Sequence, residues 1–446
     1  MNATREKWSS GSSVRQSARC SKGKKREDTD MARITALIEN AGQVLTCTAD
    51  APDLVGVRTD AAVAISDEVI AAVGTLAEIA AAHDLGGAQR IDAGGGLVMP
   101  GFVDCHTHLV FHRSRVEEYA QRVQGRSPAE IRAMGIPMGI SATARMMREA
   151  SEEQLAESAA ERLAHMLSFG TTTVESKSGY GLNTATEIKM LEVNRTLNMR
   201  QPIEVVSTFL GAHEFPDDRS REAYIAEILD EMIPEVARRG LAEFNDVYCD
   251  DGYYTVAESR AILERGLEYG LKVKIHTDAY SHIGGSTLAA DLQAVSADHM
   301  NYTAPEEYEA LRKAGVVCVV MPALDFAVGH SRPFDARAMM DAGLPLALAT
   351  DMCPGCWLES MPFVVQLACR LYRFGPAEAI RAGTLHAARA LDRADRIGSL
   401  EAGKQADIAI FPYARYEDMA YRLGRGRARM VIKAGRIVFA DDREAA

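Results

Sequence analysis

No apolar run in this chain reaches the roughly 18 to 20 residues that a bilayer-spanning helix needs, so no membrane segment is expected. Positive charge is in deficit: 50 Lys and Arg face 62 Asp and Glu, a formal net charge of -12, and no long basic stripe follows the N-terminal segment. Nucleic acid and anionic membrane are therefore poor partners, and a small molecule is the expected one. Cysteine is sparse, eight in 446 residues, with C-x-x-C only at Cys353-Pro-Gly-Cys356. This excludes a disulfide framework and points to a reducing, cytoplasmic setting. The opening stretch "MNATREKWSSGSSVRQSARCSKGKKREDTD" is basic and Ser-rich but lacks the apolar stretch of a secretory signal, and residues 1–31 read as a disordered tail.

What the chain has is core: 47% of its residues are hydrophobic, enough for one large domain and a smaller one. Both flanks carry short alternating segments, "ALIENAGQVLT", "AVAISDEVIAAVG" and "RIDAGGGLVMPG" in front, "ADIAIFPY" and "ARMVIKAGRIVFADD" behind. They read as strands of one small β-domain built from residues 32–96 and 398–446. Between them, over 97–397, eight apolar strand-like runs alternate with helix-period segments such as "ATEIKMLEVNRTLNM" and "VAESRAILERGLEYG". That alternation predicts an α/β fold of the (β/α)8 TIM-barrel type rather than an open sheet. Polar residues gather at the strand ends: His106, His108, Lys177, Tyr180, His213, Asp250, His276, His299 and Asp351. Active sites of such barrels lie at those ends.

In "DCHTHL", His106 and His108 close an extended run two residues apart, and the period of two aims both rings at one face. An isolated H-x-H is as readily an exposed turn. Here His276 ends "LKVKIH" and Asp351 ends "LPLALATD", giving three imidazoles and a carboxylate at strand ends that a barrel brings together. This donor set suits one Zn²⁺ or Fe²⁺ with a position open for water, and a metal that lowers the pKa of that water makes hydrolysis the natural chemistry. His213 in "FLGAH" and His299 in "SADH" end further strands and are candidates for acid–base or oxyanion-stabilising roles. Arg115 and Tyr180, just beyond strands one and two, are candidates to clamp a substrate carboxylate, although an arginine near a helix start more often pairs with surface charge. The Cys-Pro-Gly-Cys segment, directly after Asp351, reads as a pocket loop; His330 and His386 have no neighbouring chemistry in the sequence.

The segments "VMPGFVDCHTHLVF", "SRVEEYAQRVQG", "FGTTTVESKSGYGL", "TFLGAH", "KIHTD", "AVSADH", "ALATDMCPG", "ESMPFVVQLACRL" and "GSLEAGKQADIAI" together resemble the imidazolonepropionases of the metal-dependent amidohydrolase superfamily. The resemblance spans nearly everything after the N-terminal tail. It implies a distorted barrel with a composite β-sandwich, one metal held by His106, His108, His276 and Asp351, substrate contacts from Arg115, Tyr180 and His213, and a homodimer. It also implies the reaction: water opens an imidazolone ring bearing a propionate, in histidine breakdown, and an open-chain formimino product is released.

The departures from the family pattern concern the ring. The family's glutamate three residues after the strand-five histidine is Ala279, and the asparagine of its "TDFNPG" is Cys353. A family tyrosine falls at Pro128, a three-glycine loop becomes "MGIPMGI", and the strand-four acidic residue survives as Asp250. The expected substrate is therefore an imidazolone propionate, with a ring altered at its edge as the alternative. A thioxo-imidazolidinone propionate, desulfurised with release of sulfide, would suit Cys353 and the small Ala279; a hydantoin propionate is its oxygen counterpart. A generic amidohydrolase and a non-catalytic relative remain as further alternatives. Mechanistically, Asp351 or His299 would move the water proton and His213 would stabilise the developing charge, while Arg115 and Tyr180 hold the heterocyclic carboxylate. His282, six residues after His276, is expected on a pocket wall or a loop rather than on the metal.

Overall fold

The computed structural model describes residues 33–332 and 334–441, so the expected tail at 1–31 lies outside the described residues. Eight strands form one sheet in chain order: β1 (Phe102–Asp104), β2 (Thr171–Lys177), β3 (Glu204–Ala212), β4 (Phe244–Cys249), β5 (Lys272–Thr277), β6 (Ser296–His299), β7 (Val317–Val320) and β8 (Leu346–Leu348). Every neighbouring pair is parallel. The sheet closes through a parallel bridge between Thr107 and Met352; the Asp351 amide donates to the His106 carbonyl at 3.1 Å and the His108 amide to the Met352 carbonyl at 2.9 Å. The seam of the barrel is thus built from the backbone of three of the expected metal ligands.

The strand period of two sorts side chains to the two faces of this sheet. Val174 of β2 and Val205 of β3 face outward and pack on Met190, Val193 and Leu197 of the helix Thr184–Arg200. Burying each such side chain stabilises the fold by about 1.5–3 kcal/mol. That helix starts at Asn183, whose side chain accepts from the Thr186 amide at 2.9 Å and satisfies one of the free first-turn amides. The inward positions near the strand ends carry charge: Glu175, Lys177, Asp246, Lys274 and Asp298 are all fully buried. Barrel interiors are ordinarily filled with bulky branched residues, so a charged interior marks the end of the barrel where chemistry is placed.

Both flanks of the chain contribute to two further sheets. One has the order Val69–Gly74, Ala62–Ser66, Ala36–Glu39, Gln89–Asp92; the other runs Arg436–Ala440, Met430–Lys433, Ile408–Phe411, Leu97–Pro100, Gln43–Leu45, Val57–Arg58. Ile38, Ile65 and Ile91 of the first share a buried cluster with Val98, Ile408 and Ile432 of the second. Leu97–Pro100 pairs antiparallel with Ile408–Phe411, so the run "GLVMPGFVDCH" is two strands, one in this outer sheet and one opening the barrel. Gly101 separates them, and a Cβ there would lie 2.3 Å from Thr172 Cγ2, closer than any side chain permits. No helix among the described residues is long and apolar enough to cross a membrane.

Candidate metal centre and substrate cavity

One donor atom from each of His106, His108 and His276 lies within 4.8 Å of the others, and the same holds for His106, His299 and Asp351. Asp351 Oδ1 is 3.7 Å from His106 Nε2 and 3.6 Å from His108 Nε2. Three of these atoms, His106 Nε2, His276 Nε2 and Asp351 Oδ1, are buried without a hydrogen-bond partner among the described residues. Buried polar atoms are nearly always partnered, so their convergence fits a cation.

The far sides of two rings fix their tautomers. His106 Nδ1 is 2.6 Å from Asp298 Oδ2 and His276 Nδ1 is 3.1 Å from Asp246 Oδ1. The carboxylates accept, so Nδ1 carries the proton and Nε2 presents its lone pair. Burial holds His106, His108 and His276 well below the ordinary imidazole pKa, which keeps them neutral, the form in which an imidazole can take a metal. Burial also pushes the Asp351 carboxyl far up, while the Lys177 ammonium pulls it back; a bound divalent cation would ionise it. His108 differs from the other two: its Nδ1 has no hydrogen-bond partner among the described residues, and its ring is stacked on His213, with centroids 4.8 Å apart and planes within 5°. Three imidazoles and one carboxylate fit a divalent ion of borderline character.

His108, Arg115, Tyr180, His213, His276, His299, Asp351 and Cys353 all face one cavity of about 930 Å³. Ala279 does not reach it: the residue is buried, and its carbonyl accepts from His330 Nε2 at 2.8 Å. At this point the wall is made by Tyr280 and His330, whose rings lie 5.1 Å apart. The expected substrate contact, Ala279, is thus not among the residues that line this cavity, and Tyr280 and His330 stand there instead.

Arg115 Nε is buried without a hydrogen-bond partner among the described residues, and its nearest carboxylate, Glu118, stands 3.7 Å away. Its guanidinium is not spent on a tight pair. Arg115 also donates its amide to the Pro354 carbonyl at 3.2 Å, and a Cβ on Gly355 would meet its Nη2 at 2.4 Å, so that glycine makes room for the arginine. Cys353 and Cys356 exchange backbone hydrogen bonds of 3.0 and 3.1 Å across the turn, as a loop of the cavity wall. Burial pushes the Cys353 thiol up to about 12, leaving it protonated near neutrality.

Burial lowers His213 and His299 each to about 4, so both are neutral near pH 7. His213 Nδ1 is 3.1 Å from the Gly179 carbonyl, which can only accept, so its single proton is committed there and Nε2 is an acceptor. Stabilising an oxyanion would need the opposite, and that expected role is withdrawn. His299 directly follows Asp298, which binds His106; period two alone would send the two side chains to opposite faces. The backbone at His299 has φ +80° and at Met300 +60°, and this left-handed turn brings His299 back to the cavity. Asp250 lies off the metal group: it accepts from the Tyr280 amide at 2.9 Å and the Asp251 amide at 2.8 Å and caps the loop after β5. His282 is likewise away, 2.9 Å from Glu307 with nearly half its side chain exposed.

Sequence reasoning does not single out Asp246 or Asp298, the tautomer-setting pair. The signal was available in the alternation: Asp246 precedes Tyr248 by two, and Asp298 precedes the strand end by one, on runs otherwise apolar.

The barrel and its N₃O donor set define a metal-dependent hydrolase of the amidohydrolase class, and the model of the Amidohydrolase family matches residues 97–438. An imidazolonepropionase of Geobacillus thermodenitrificans is 48% identical over 375 residues, covering 83% of this chain and 88% of the relative. One from Haloarcula marismortui is 43% identical over 380 residues, covering 85% and 90%. The chain belongs to the imidazolonepropionase family of amidohydrolases. Among solved structures, an adenosine deaminase from Xanthomonas campestris with bound zinc aligns with TM-score 0.70 at 22% identity, covering 92% of this chain and 94% of that one. An atrazine chlorohydrolase from Arthrobacter aurescens TC1 complexed with zinc aligns with TM-score 0.65 at 18% identity, covering 92% and 96%. These two share the fold.

Proposed function

We infer that this chain hydrolyses an imidazolone ring carrying a propionate. One observation carries the reading: a buried, unspent guanidinium, Arg115, faces the same cavity as His108, His276 and Asp351 of the metal group. A carboxylate held by the arginine places the attached ring over the donor group.

His106, His108, His276 and Asp351 would hold the ion, and a divalent metal there supplies Lewis acidity and an acidified water. The protein's own part is as follows. Arg115 and Tyr180 bind the propionate and so orient the ring. The attacking water loses its proton to an Asp351 oxygen or to His299, neutral and lowered to about 4, and the same group returns it to the ring nitrogen as the C–N bond breaks. His213 Nε2, an acceptor, receives a ring N–H and fixes which edge faces the ion. Both Zn²⁺ and Fe²⁺ suit three imidazoles and a carboxylate; metal analysis of the purified protein, with reconstitution, decides between them. A cytoplasmic homodimer completes the proposal, and light scattering in solution tests the dimer.

The experiment is turnover of imidazolone propionate, followed by loss of ring absorbance, before and after chelation. Activity that disappears with chelator and returns with Zn²⁺ or Fe²⁺ supports the reading; undiminished activity in metal-free protein refutes it. A second reading, a ring bearing sulfur, rests on the protonated Cys353 thiol in the cavity wall. Sulfide release from a thioxo-imidazolidinone propionate, measured beside imidazolone and hydantoin propionates, separates the two.

A further inference from the structure

We propose that Lys177 is a positioning residue of the metal centre, a single ammonium that fixes two histidine ligands at once. The proposal rests on the reading above that His106 and His276 hold the ion. Lys177 ends β2 on its inward face, is fully buried, and is not part of the cavity wall, so it cannot touch substrate. Its Nζ lies 2.8 Å from Asp246 Oδ2, 3.0 Å from Glu175 Oε1 and 3.4 Å from Asp298 Oδ2. Two of its three N–H donors are hydrogen-bonded, to Asp246 and Glu175, and Asp298 completes the ion cluster.

Two of those carboxylates are the ones that hold the rings. Asp246 gives Oδ2 to Lys177 and holds His276 at two points, the ring Nδ1, 3.1 Å from either carboxylate oxygen, and the backbone amide, 3.2 Å from Oδ1. Asp298 uses the same Oδ2 for Lys177 and for His106 Nδ1 at 2.6 Å, while Ser296 holds its Oδ1 at 2.6 Å. The register places them side by side: His276 lies level with Asp298 across the β5–β6 pair and with Tyr248 across the β4–β5 pair. Two buried carboxylates that converge in this way repel one another, and the ammonium between them is what holds both at the distance the rings require. Lys274, 3.2 Å from Glu175, balances the third carboxylate and contacts neither aspartate within ion-pair distance. With the four carboxylates Glu175, Asp246, Asp298 and Asp351 ionised, the two lysines leave two negative charges, which one divalent ion neutralises. Another buried carboxyl, Asp104, is held outside this cluster by the Thr350 amide at 3.0 Å and hydroxyl at 2.6 Å.

The test reads the metal rather than turnover. Co²⁺ affinity, by competition with a chromophoric chelator, and the visible d–d spectrum of the Co²⁺ protein are measured for the parent, K177M and a control, K433M. Lys433 forms a comparable buried pair with Asp407 at 2.7 Å, outside the centre. Expected is a loss of Co²⁺ affinity of about ten- to a hundredfold in K177M with an altered spectrum, and neither change in K433M. In a D246N/D298N background, K177M should shift affinity by less than about twofold, because the route is gone. Parent affinity and spectrum in K177M overturn the proposal, as does an undiminished loss without the aspartates. If K177M does not accumulate folded, K177M/D246N is compared with D246N: a further loss, carried by Asp298, supports the proposal and equal affinities overturn it. Failure of the parent itself to bind Co²⁺ would instead refute the assignment of the ligands.

Discussion

The imidazole of His213 lies face to face with that of His108, centroids 4.8 Å apart and planes within 5°. His213 is anchored by its own Nδ1 on the Gly179 carbonyl, whereas His108 Nδ1 has no partner among the described residues. The stack therefore orients the ring of a proposed metal ligand whose Nδ1 no carboxylate holds among the described residues. H213F keeps a ring against His108 but removes Nε2. Its kcat/KM should fall by about five- to 150-fold, the cost of leaving a buried ring N–H without its acceptor, while its metal content stays at the parent level. Steady-state kinetics and metal analysis on the same sample check both halves; loss of metal in H213F would show that the ring's chemistry, not its stacking, holds His108.

Arg115 is predicted to act on binding. R115A removes a charge-assisted contact to the substrate carboxylate, about 1.5–3 kcal/mol, so kcat/KM should drop by about ten- to 150-fold, mainly through KM. Because Gly355 makes room for the guanidinium, G355A should produce a smaller change of the same kind. A ring analogue without the carboxylate should lose little in either variant, and an equal loss would exclude the clamp.

The two histidines of "KIHTDAYSH" should separate cleanly in mutants. H276A removes an orphaned, buried Nε2 of the proposed donor group and should abolish stoichiometric metal binding and turnover. H282A breaks a half-exposed pair with Glu307 and should cost no more than about 1 kcal/mol of stability, with metal binding unchanged. Metal analysis and thermal melting of the two proteins decide the matter.

Acid should destabilise the fold partly through His386, which is not part of the donor group. Its Nδ1 donates to the Leu346 carbonyl of β8 at 2.9 Å, and burial lowers it to about 4 from 6.5. The folded pKa is below the unfolded one, so between pH 6.5 and 4 the unfolded chain binds more protons. The stability this histidine contributes is present above about 6.5 and is lost as pH falls toward 4, on the order of 3 kcal/mol in all. Denaturant titrations across that range should show a shallower decline for H386Q than for the parent; parallel curves would exclude His386 as the source.

Much of this protein was legible in one dimension. All eight barrel strands coincide with apolar runs visible in the sequence, and His106, His108, His276 and Asp351 stand at their ends. That information is local: the period of a strand fixes which face a side chain takes, and the end of an apolar run fixes where the face meets solvent. What only the tertiary structure decided depends on register between strands and on the sign of a backbone angle, neither of which a single segment encodes. Register places Asp298 level with His276 and gives both aspartates one lysine. A positive φ turns His299 into the cavity beside a residue of opposite parity. Packing puts Tyr280 and His330 on the wall where the sequence offered Ala279, and Thr172 against Gly101 divides one apparent strand into two that belong to different sheets. The donor atoms were written in the sequence, and the angles at which they are held were set by neighbours from other strands.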